Sequence, residues 1–249
     1  MSEHIFVFLF FIFVMNATFV SFICLATERL PHQLGWKDNP KENFTIISPP
    51  SSCNHCGKKI HFLYILPVIG YILSKGRCSY CNQQIPIKYP ALEFIGGMVG
   101  VLIFFIFGFS INTSITNFLF LVLFFLALID IYEYWIPAVV TYPLFWLGLA
   151  FSPYCQDPEL RIIGAAVGFY SMYLSMAITS HWKKEDAFAG GDIALVACAG
   201  AWLGIGNIPN YLILSSIFFI AYALPLRFKG QKYVPMGPAL ATGFFICLL

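Results

Sequence analysis

From Ile5 to Ala26 the chain reads IFVFLFFIFVMNATFVSFICLA, a run that carries no charge. A helix needs about 20 mostly apolar residues to cross a hydrocarbon core about 30 Å thick, so this stretch is long enough to span a bilayer. A secretory signal is the competing reading. Its flank, Met1-Ser2-Glu3-His4, lacks the Lys or Arg such signals carry, and the apolar run is too long for one. The segment is therefore read as a retained membrane helix, residues 1–26. Further apolar runs follow at 91–109, 115–131, 136–153, 160–180, 189–206, 209–225 and 235–249. The runs at 136–153 and 235–249 are short and contain Pro137, Pro143 and Pro238. No internal repeat or low-complexity tract stands out.

Composition points the same way. The 249 residues are 59% hydrophobic and 10% charged, against roughly 45–50% and about 25% in soluble domains. Too few polar residues remain to cover a soluble core. Disorder, collagen-like repeats and a small secreted disulfide scaffold are excluded, and a net charge of +2 gives no reason to expect nucleic acid as a partner. The expected solvent is membrane lipid. The expected fold class is an all-α polytopic membrane protein of about eight transmembrane helices, with a small cytosolic zinc-binding domain of four cysteines between helices 1 and 2.

Basic residues set the expected orientation, because loops rich in Lys and Arg stay in the cytosol. Arg29, Lys37, Lys41, Lys58, Lys59, Lys75, Arg77 and Lys88 lie between the first two spans. Lys183 and Lys184 follow the fifth span, and Arg227, Lys229 and Lys232 the seventh. With the N-terminus outside, thirteen of the fourteen Lys and Arg fall on the cytosolic side, and Arg161 alone dissents. Residues 27–90 then form a cytosolic domain, and residues 91–249 a seven-helix membrane domain.

That cytosolic segment contains Cys53-Asn54-His55-Cys56 and Cys78-Ser79-Tyr80-Cys81. Each C-x-x-C turn aims two thiolates at one ion, and two such turns complete a tetrahedral site suited to zinc. A pair of disulfides is the alternative, disfavoured where thiols are kept reduced. A redox motif is weaker still, for there are two copies and no βαβ pattern. Four Cys leave no open coordination position, so the zinc is read as structural, stapling a domain too small to hold itself together. Gly57 with Lys58, and Gly76 with Arg77, supply turn chemistry and positive charge, while His55 is read as a solvent-facing or hydrogen-bonded side chain. Cys24, Cys155, Cys198 and Cys247 read as small apolar residues.

Most of the acids lie in loops or tails; Glu93, Asp130 and Asp192 do not. An ionisable group at membrane depth points to function. Asp130 stands where the third span reaches the cytosol, and Asp192, behind Gly190-Gly191, where the sixth span leaves it. The topology thus brings two distant aspartates to one membrane face. A helix-end acid reaching water is the plain alternative for either one alone, and Asp192 also suits a helix start. Two adjacent carboxyls cannot both ionise cheaply, so one keeps a proton while the other stays charged. The charged member can take a proton from a water attacking a peptide carbonyl, while the protonated one polarises the carbonyl oxygen. Gly190 and Gly191, without Cβ atoms, would let a substrate backbone come close. No G-x-S-x-G, H-E-x-x-H, P-loop or G-x-G-x-x-G pattern competes.

At these residues the chain resembles the type IV prepilin peptidases, membrane aspartic peptidases of pilus and type II secretion systems. Ser21-Phe22 with Glu28-Arg29-Leu30-Pro31 is similar to the family's S-F…Y-R-L-P segment, with Glu28 where Tyr is usual. Pro49 to Gly57 and Gly76 to Cys81, running on to Tyr89-Pro90-Ala91-Leu92-Glu93, resemble its cysteine domain and next span. Ile129-Asp130 through Ile136-Pro137 resembles the first aspartate motif, and Gly191-Asp192 with Gly200 to Gly204 the second. Val234-Pro235-Met236-Gly237-Pro238 is similar to the family's P-x-G-P. Ala189 replaces the first Gly of G-x-G-D, and Ala194 stands where Lys is common.

The resemblance implies a bacterial inner-membrane enzyme with its active site facing the cytosol. It implies Asp130 and Asp192 as catalytic acids, Glu93 as a residue lining the site, and cleavage of a short basic prepilin leader after Gly. N-methylation of the new N-terminus with S-adenosylmethionine is implied by resemblance alone; peptidase activity without it is the alternative. Glu93 and Glu133 are the acids placed to meet a cationic leader. A proton-coupled transporter and a zinc-stabilised scaffold are the rivals from other classes. The sequence is silent on the oligomeric state and on which prepilin is processed.

Overall fold

The computed structural model describes residues 2–37, 44–184, 188–231 and 233–249. Lys41 and Lys232, two of the residues used for orientation, lie outside them. Among the described residues the regular structure is helical, with no strand and two isolated bridges, Ser52 to Lys59 and Arg77 to Gln84. The helices are α1 (Ser2–Gln33), α2 (Phe62–Ile65), α3 (Ile69–Leu73), α4 (Lys88–Phe107), α5 (Ile111–Glu133), α6 (Ala138–Phe151), α7 (Pro158–Lys183), α8 (Gly190–Leu203), α9 (Ile208–Phe228) and α10 (Gly237–Leu248). Each apolar run in the sequence coincides with one helix. Five of these (α1, α4, α5, α7 and α9) are long and apolar enough to cross a membrane, whereas α6, α8 and α10 are shorter apolar helices.

The chain divides into two compact units, residues 1–121 and 122–249. In the first, α1 packs along α4. Gly96 and Gly100 of α4 sit where a side chain would strike Val20 and Asn16 of α1, so the two backbones approach as closely as small residues permit. The helix α1 runs through Pro31 to Gln33, beyond the apolar run. It stops at Gly35 in the left-handed region (φ 69°), where the Trp36 N–H donates to the Pro31 carbonyl at 2.9 Å. This is the backbone signature of a glycine-terminated helix. The extension carries Glu28 and Arg29 into the domain that follows. Tyr89 donates its hydroxyl to Glu28 at 2.6 Å, so the residue that departs from the family pattern ties α1 to the start of α4. Buried Arg29 donates to the carbonyls of Thr45 and Ile46 and lies 5.2 Å from the centre of the Phe44 ring.

The second unit is built around α8. From Asp192 to Leu203 only Ala194 among its residues is not buried, and α6, α7, α9 and α10 all touch it. The reason is in its composition: Ala194, Ala197, Ala199, Gly200 and Ala201 present almost no side chain, so neighbouring helices reach its backbone. At the tightest crossing a Cβ on Gly164 of α7 would lie 2.7 Å from the Gly200 carbonyl, and one on Gly200 would strike the Gly164 carbonyl. The Trp202 indole N–H donates to the Leu144 carbonyl at 2.9 Å, holding α6 to the same end of α8. Arg161 is buried at this end, remote from Asp192 along α8, and donates to the Gly148 carbonyl at 3.4 Å.

Because each partner at the α7–α8 crossing is backbone, neither helix can yield by turning a side chain. Gly200→Val is expected to cost about 1–3 kcal/mol of stability, read as a lower thermal midpoint of the protein in detergent. An unchanged midpoint would show that the crossing is not so close.

Candidate active site

Two sites emerge, one in each unit. In the second, three chain segments converge: the end of α5, the start of α8 and the start of α10. The helix α5 ends one turn after Asp130, where Tyr134 takes a left-handed conformation (φ 51°) and donates its N–H to the Asp130 carbonyl at 2.9 Å. The chain then passes through Ile136, buried, to the extended cap Pro137 of α6. A Cβ on Gly191 would lie 2.7 Å from the Ile136 Cβ and 3.1 Å from its carbonyl oxygen. Gly191 is therefore the residue that lets the α8 start press against the chain leaving Asp130. Gly190 meets nothing within 4 Å, so of the two glycines it is the one with an open face.

Asp130 is 5% exposed and Asp192 9%. They are electrostatic neighbours, the charge of Asp130 reaching Asp192. One Asp130 oxygen, Oδ2, accepts the backbone N–H of Gly237 at 2.7 Å. Tyr222 of α9 also lies within electrostatic reach of Asp130. Neither Gly237's donor nor Tyr222 is visible in the sequence as a site residue; the P-x-G-P pattern marked the place but not the contact. The departure at Ala189 is benign locally, because this cap residue has φ −114° and ψ 92°, a conformation open to any residue.

The first unit holds the four cysteines. Their sulfurs lie within 4.8 Å of one another, with Cys53 to Cys81 at 3.8 Å and Cys56 to Cys78 at 4.0 Å. Tetrahedral metal–sulfur bonds of about 2.3 Å place sulfurs about 3.8 Å apart, so the cluster could hold a metal ion such as zinc. All four are free thiols. The two turns are built alike. Cys53 donates its N–H to the Lys58 carbonyl and accepts that of Gly57; Cys78 donates to Gln83 and accepts from Asn82. Gly57 and Asn82 occupy the matching left-handed positions (φ 70° and 55°), so Asn82, not Gly76, is the counterpart of Gly57. His55 is exposed.

Backbone donors prepare the thiols for a cation. The N–H groups of Cys81 and Tyr80 draw the Cys78 thiol from 9.0 down to about 6, and those of Cys56 and His55 lower Cys53. The Gln83 N–H also lowers Cys81, but desolvation and the three neighbouring thiols outweigh it and push that residue up to about 12. Crowded thiolates of this kind gain most from a bound divalent ion.

Glu93 is in this first unit also, 9% exposed. Its Oε2 accepts the N–H of Val68 at 2.8 Å. Val68 has φ 60°, an unfavourable conformation for a β-branched residue, and the carboxylate helps to hold it there. Glu93 thus anchors the turn between α2 and α3 to α4. Glu133 ends α5 one turn beyond Asp130.

Two family models match the chain: the bacterial peptidase A24 N-terminal domain over residues 14–107 and the type IV leader peptidase family over residues 117–224. The prepilin leader peptidase/N-methyltransferase of Neisseria gonorrhoeae is 30% identical over 211 residues, 84% of this chain and 74% of that protein. The protein of the same name from Vibrio cholerae is 29% identical over 247 residues, covering 97% of this chain and 96% of its own. A type 4 prepilin-like proteins leader peptide-processing enzyme of Escherichia coli is 25% identical over 235 residues, 92% of this chain and 86% of that one. No solved structure matches the chain.

The two glycines ahead of Asp192 are expected to separate on substitution. Gly191→Ala drives a Cβ into Ile136 and shifts the two acids apart, and peptide cleavage by the purified protein should fall by about 100-fold, the scale set by a misplacement near 1 Å. Gly190→Ala should leave the thermal midpoint unchanged. Equal cleavage by Gly191→Ala and the parent would contradict this packing.

Proposed function

The chain belongs to the type IV leader peptidase family, and from that premise we propose that it is a membrane-embedded aspartic endopeptidase that removes the short basic leader of type IV prepilins after Gly, at the cytosolic face of the bacterial inner membrane. Membership makes the chain an enzyme with peptidase activity and sets aside the transporter and scaffold readings. The observation that carries the mechanism is the pair itself: two buried carboxylates, delivered by separate helices, with the charge of Asp130 reaching Asp192.

Two such acids share one proton at the start of the reaction. The ionised carboxylate takes a proton from water as the water oxygen bonds to the scissile carbonyl carbon. The protonated carboxyl gives its proton to the carbonyl oxygen, and a neutral tetrahedral diol results. Collapse breaks the C–N bond; the leaving nitrogen takes the proton held by the first acid, and a diol hydroxyl returns one to the second. Water is consumed, and the pair regains its single proton.

The positive-inside assignment puts the end of α5 and the starts of α6, α8 and α10 on the cytosolic side. The helices that begin at this junction are the short ones. With 14 residues, α8 rises about 21 Å, against a hydrocarbon core of about 30 Å. Helices that reach the far face therefore begin below the near one, and the acids are recessed into the bilayer. A prepilin with an apolar helix in lipid and a cationic leader in the cytosol brings its scissile bond to that depth. Gly190, with its open face, is the residue beside which the substrate backbone passes. Glu93 fixes Val68 through Oε2 and lines the cavity of the first unit.

Cys53, Cys56, Cys78 and Cys81 would hold one zinc ion as a structural staple, and with four thiolates in place no position remains for catalysis. Metal analysis of the purified chain should return about one zinc per molecule, and Cys56→Ser together with Cys81→Ser none; a metal-free, stably folded parent protein would contradict the staple.

The relatives are named N-methyltransferases, and the proposal extends to N-methylation of the new N-terminal residue, with S-adenosylmethionine as the donor that the resemblance implies. The first unit holds a cavity of about 1140 Å³, lined in part by Tyr64, Tyr71 and Ser74, which is proposed to receive the donor. Aromatic faces suit a purine. When bound, the donor supplies an activated methyl group. The test of both activities is purified protein in detergent with a prepilin, read by gel shift and mass spectrometry. The parent should release the leader and, with the methyl donor, add one methyl group; Asp130→Asn and Asp192→Asn should each abolish cleavage while still inserting in membranes. Full cleavage by either would overturn the paired-acid mechanism, and unmethylated product would leave the peptidase alone.

A further inference from the structure

Resting on that paired-acid reading, we propose that Gly237 is a positioning residue for Asp130: its backbone N–H fixes Oδ2, so that every proton Asp130 takes up or gives back is carried on Oδ1. The segment Pro235-Met236-Gly237-Pro238 is built to present that single donor.

The first N–H groups of a helix have no partner within it, and a carboxylate is a natural acceptor for them. Gly237 is the first residue of α10, and its N–H meets Asp130 Oδ2 at 2.7 Å. The next residue, Pro238, has no N–H to offer. The two after it, Ala239 and Leu240, both donate to the Met236 carbonyl at 3.1 Å. The carboxylate therefore faces one donor, and its second oxygen is not drawn into the same helix end.

The choice of glycine has a steric cause. A Cβ at position 237 would lie 2.7 Å from Asp130 Oδ2 and 2.9 Å from both its Cβ and Cγ. Any side chain would push the carboxyl group away from the N–H. The donor itself is well anchored, for α10 packs on α8 and α9 and buries Leu240 and Phe244. Since α8 carries Asp192, the bond from Gly237 places the acid of α5 in the frame of the acid of α8.

The consequence for the reaction follows from what an N–H can do. It donates and cannot accept, so the oxygen it holds must accept at every stage. One lone pair of Oδ2 is engaged, which makes that oxygen less basic than Oδ1, and Oδ1 is the atom that exchanges protons with water and with the leaving nitrogen. Fixing which oxygen works, and where it sits, is worth most when the reacting groups are already within contact distance.

The experiment replaces Gly237 with glycolic acid by nonsense suppression in the full-length protein. The ester that results replaces the N–H by an oxygen and keeps the side chains unchanged, while weakening the Met236 carbonyl as the acceptor of the Ala239 and Leu240 N–H groups. We expect kcat for prepilin cleavage to fall at least about tenfold while KM stays within about twofold. The infrared carboxyl band of Asp130, identified by its loss in Asp130→Asn, should shift in the ester protein. A kcat within twofold of the parent, or an unmoved band, overturns the proposal. Gly237→Ala is the second variant should the ester chain fail to assemble; it retains the N–H but crowds the carboxylate, and parental kcat from it overturns the proposal equally. The two readings fail separately. Cleavage by Asp130→Asn would end the paired-acid mechanism, whereas an inactive Asp130→Asn beside a fully active ester protein would end only the role of Gly237.

Discussion

The hydrogen bond from the Gly237 N–H to Asp130 Oδ2 joins the end of one helix to the start of another inside a protein that lipid surrounds. Within the bilayer there is no water to satisfy a buried carboxylate or an orphaned helix N–H, so each must find its partner in the protein. Here they satisfy one another. The same constraint shapes the opposite side of the junction, where Gly191 lies against Ile136 and brings Asp192 beside the chain that leaves Asp130. Two glycines at two helix starts thus do what larger residues could not: they let backbones close around a pair of acids.

That junction in turn depends on α8, whose Ala and Gly residues permit α7 to approach to backbone contact at Gly164 and Gly200. A buried helix of small residues is a poor source of hydrophobic area but a good scaffold, because its position is fixed by backbone against backbone. The helices that begin at this junction, α6, α8 and α10, are the three shorter apolar ones, and the acids they gather are buried, where charges interact strongly. The cysteine unit follows a different logic. Its two turns gain their geometry from backbone bonds at Gly57 and Asn82 and from the convergence of four sulfurs.

Much of this was legible in the sequence. Length and apolarity give each helix, since a membrane span must satisfy its own backbone; the C-x-x-C spacings announce the sulfur cluster; and acids as rare as Asp130 and Asp192 in such a chain stand out by their cost. What was not legible depended on where backbone atoms arrive in space. Gly191 read as an opening for substrate, but it faces Ile136. Gly237 read as part of a motif, but its function is a donor that only the docking of α10 places. Glu93 stood out as an acid at membrane depth, and its hold on Val68 was not visible. Glu28 read as a departure from pattern, and it accepts the Tyr89 hydroxyl. In each case the residue type was informative and the partner was tertiary.

The central claim is that Asp130 and Asp192 occupy one site in the membrane-inserted protein. Replacing both by cysteine and treating native membranes with a short bifunctional maleimide tests it directly, with the joined peptides identified by mass spectrometry. The predicted result is an efficient cross-link between positions 130 and 192 that neither single replacement forms. Two cysteines that label readily yet never join would contradict it.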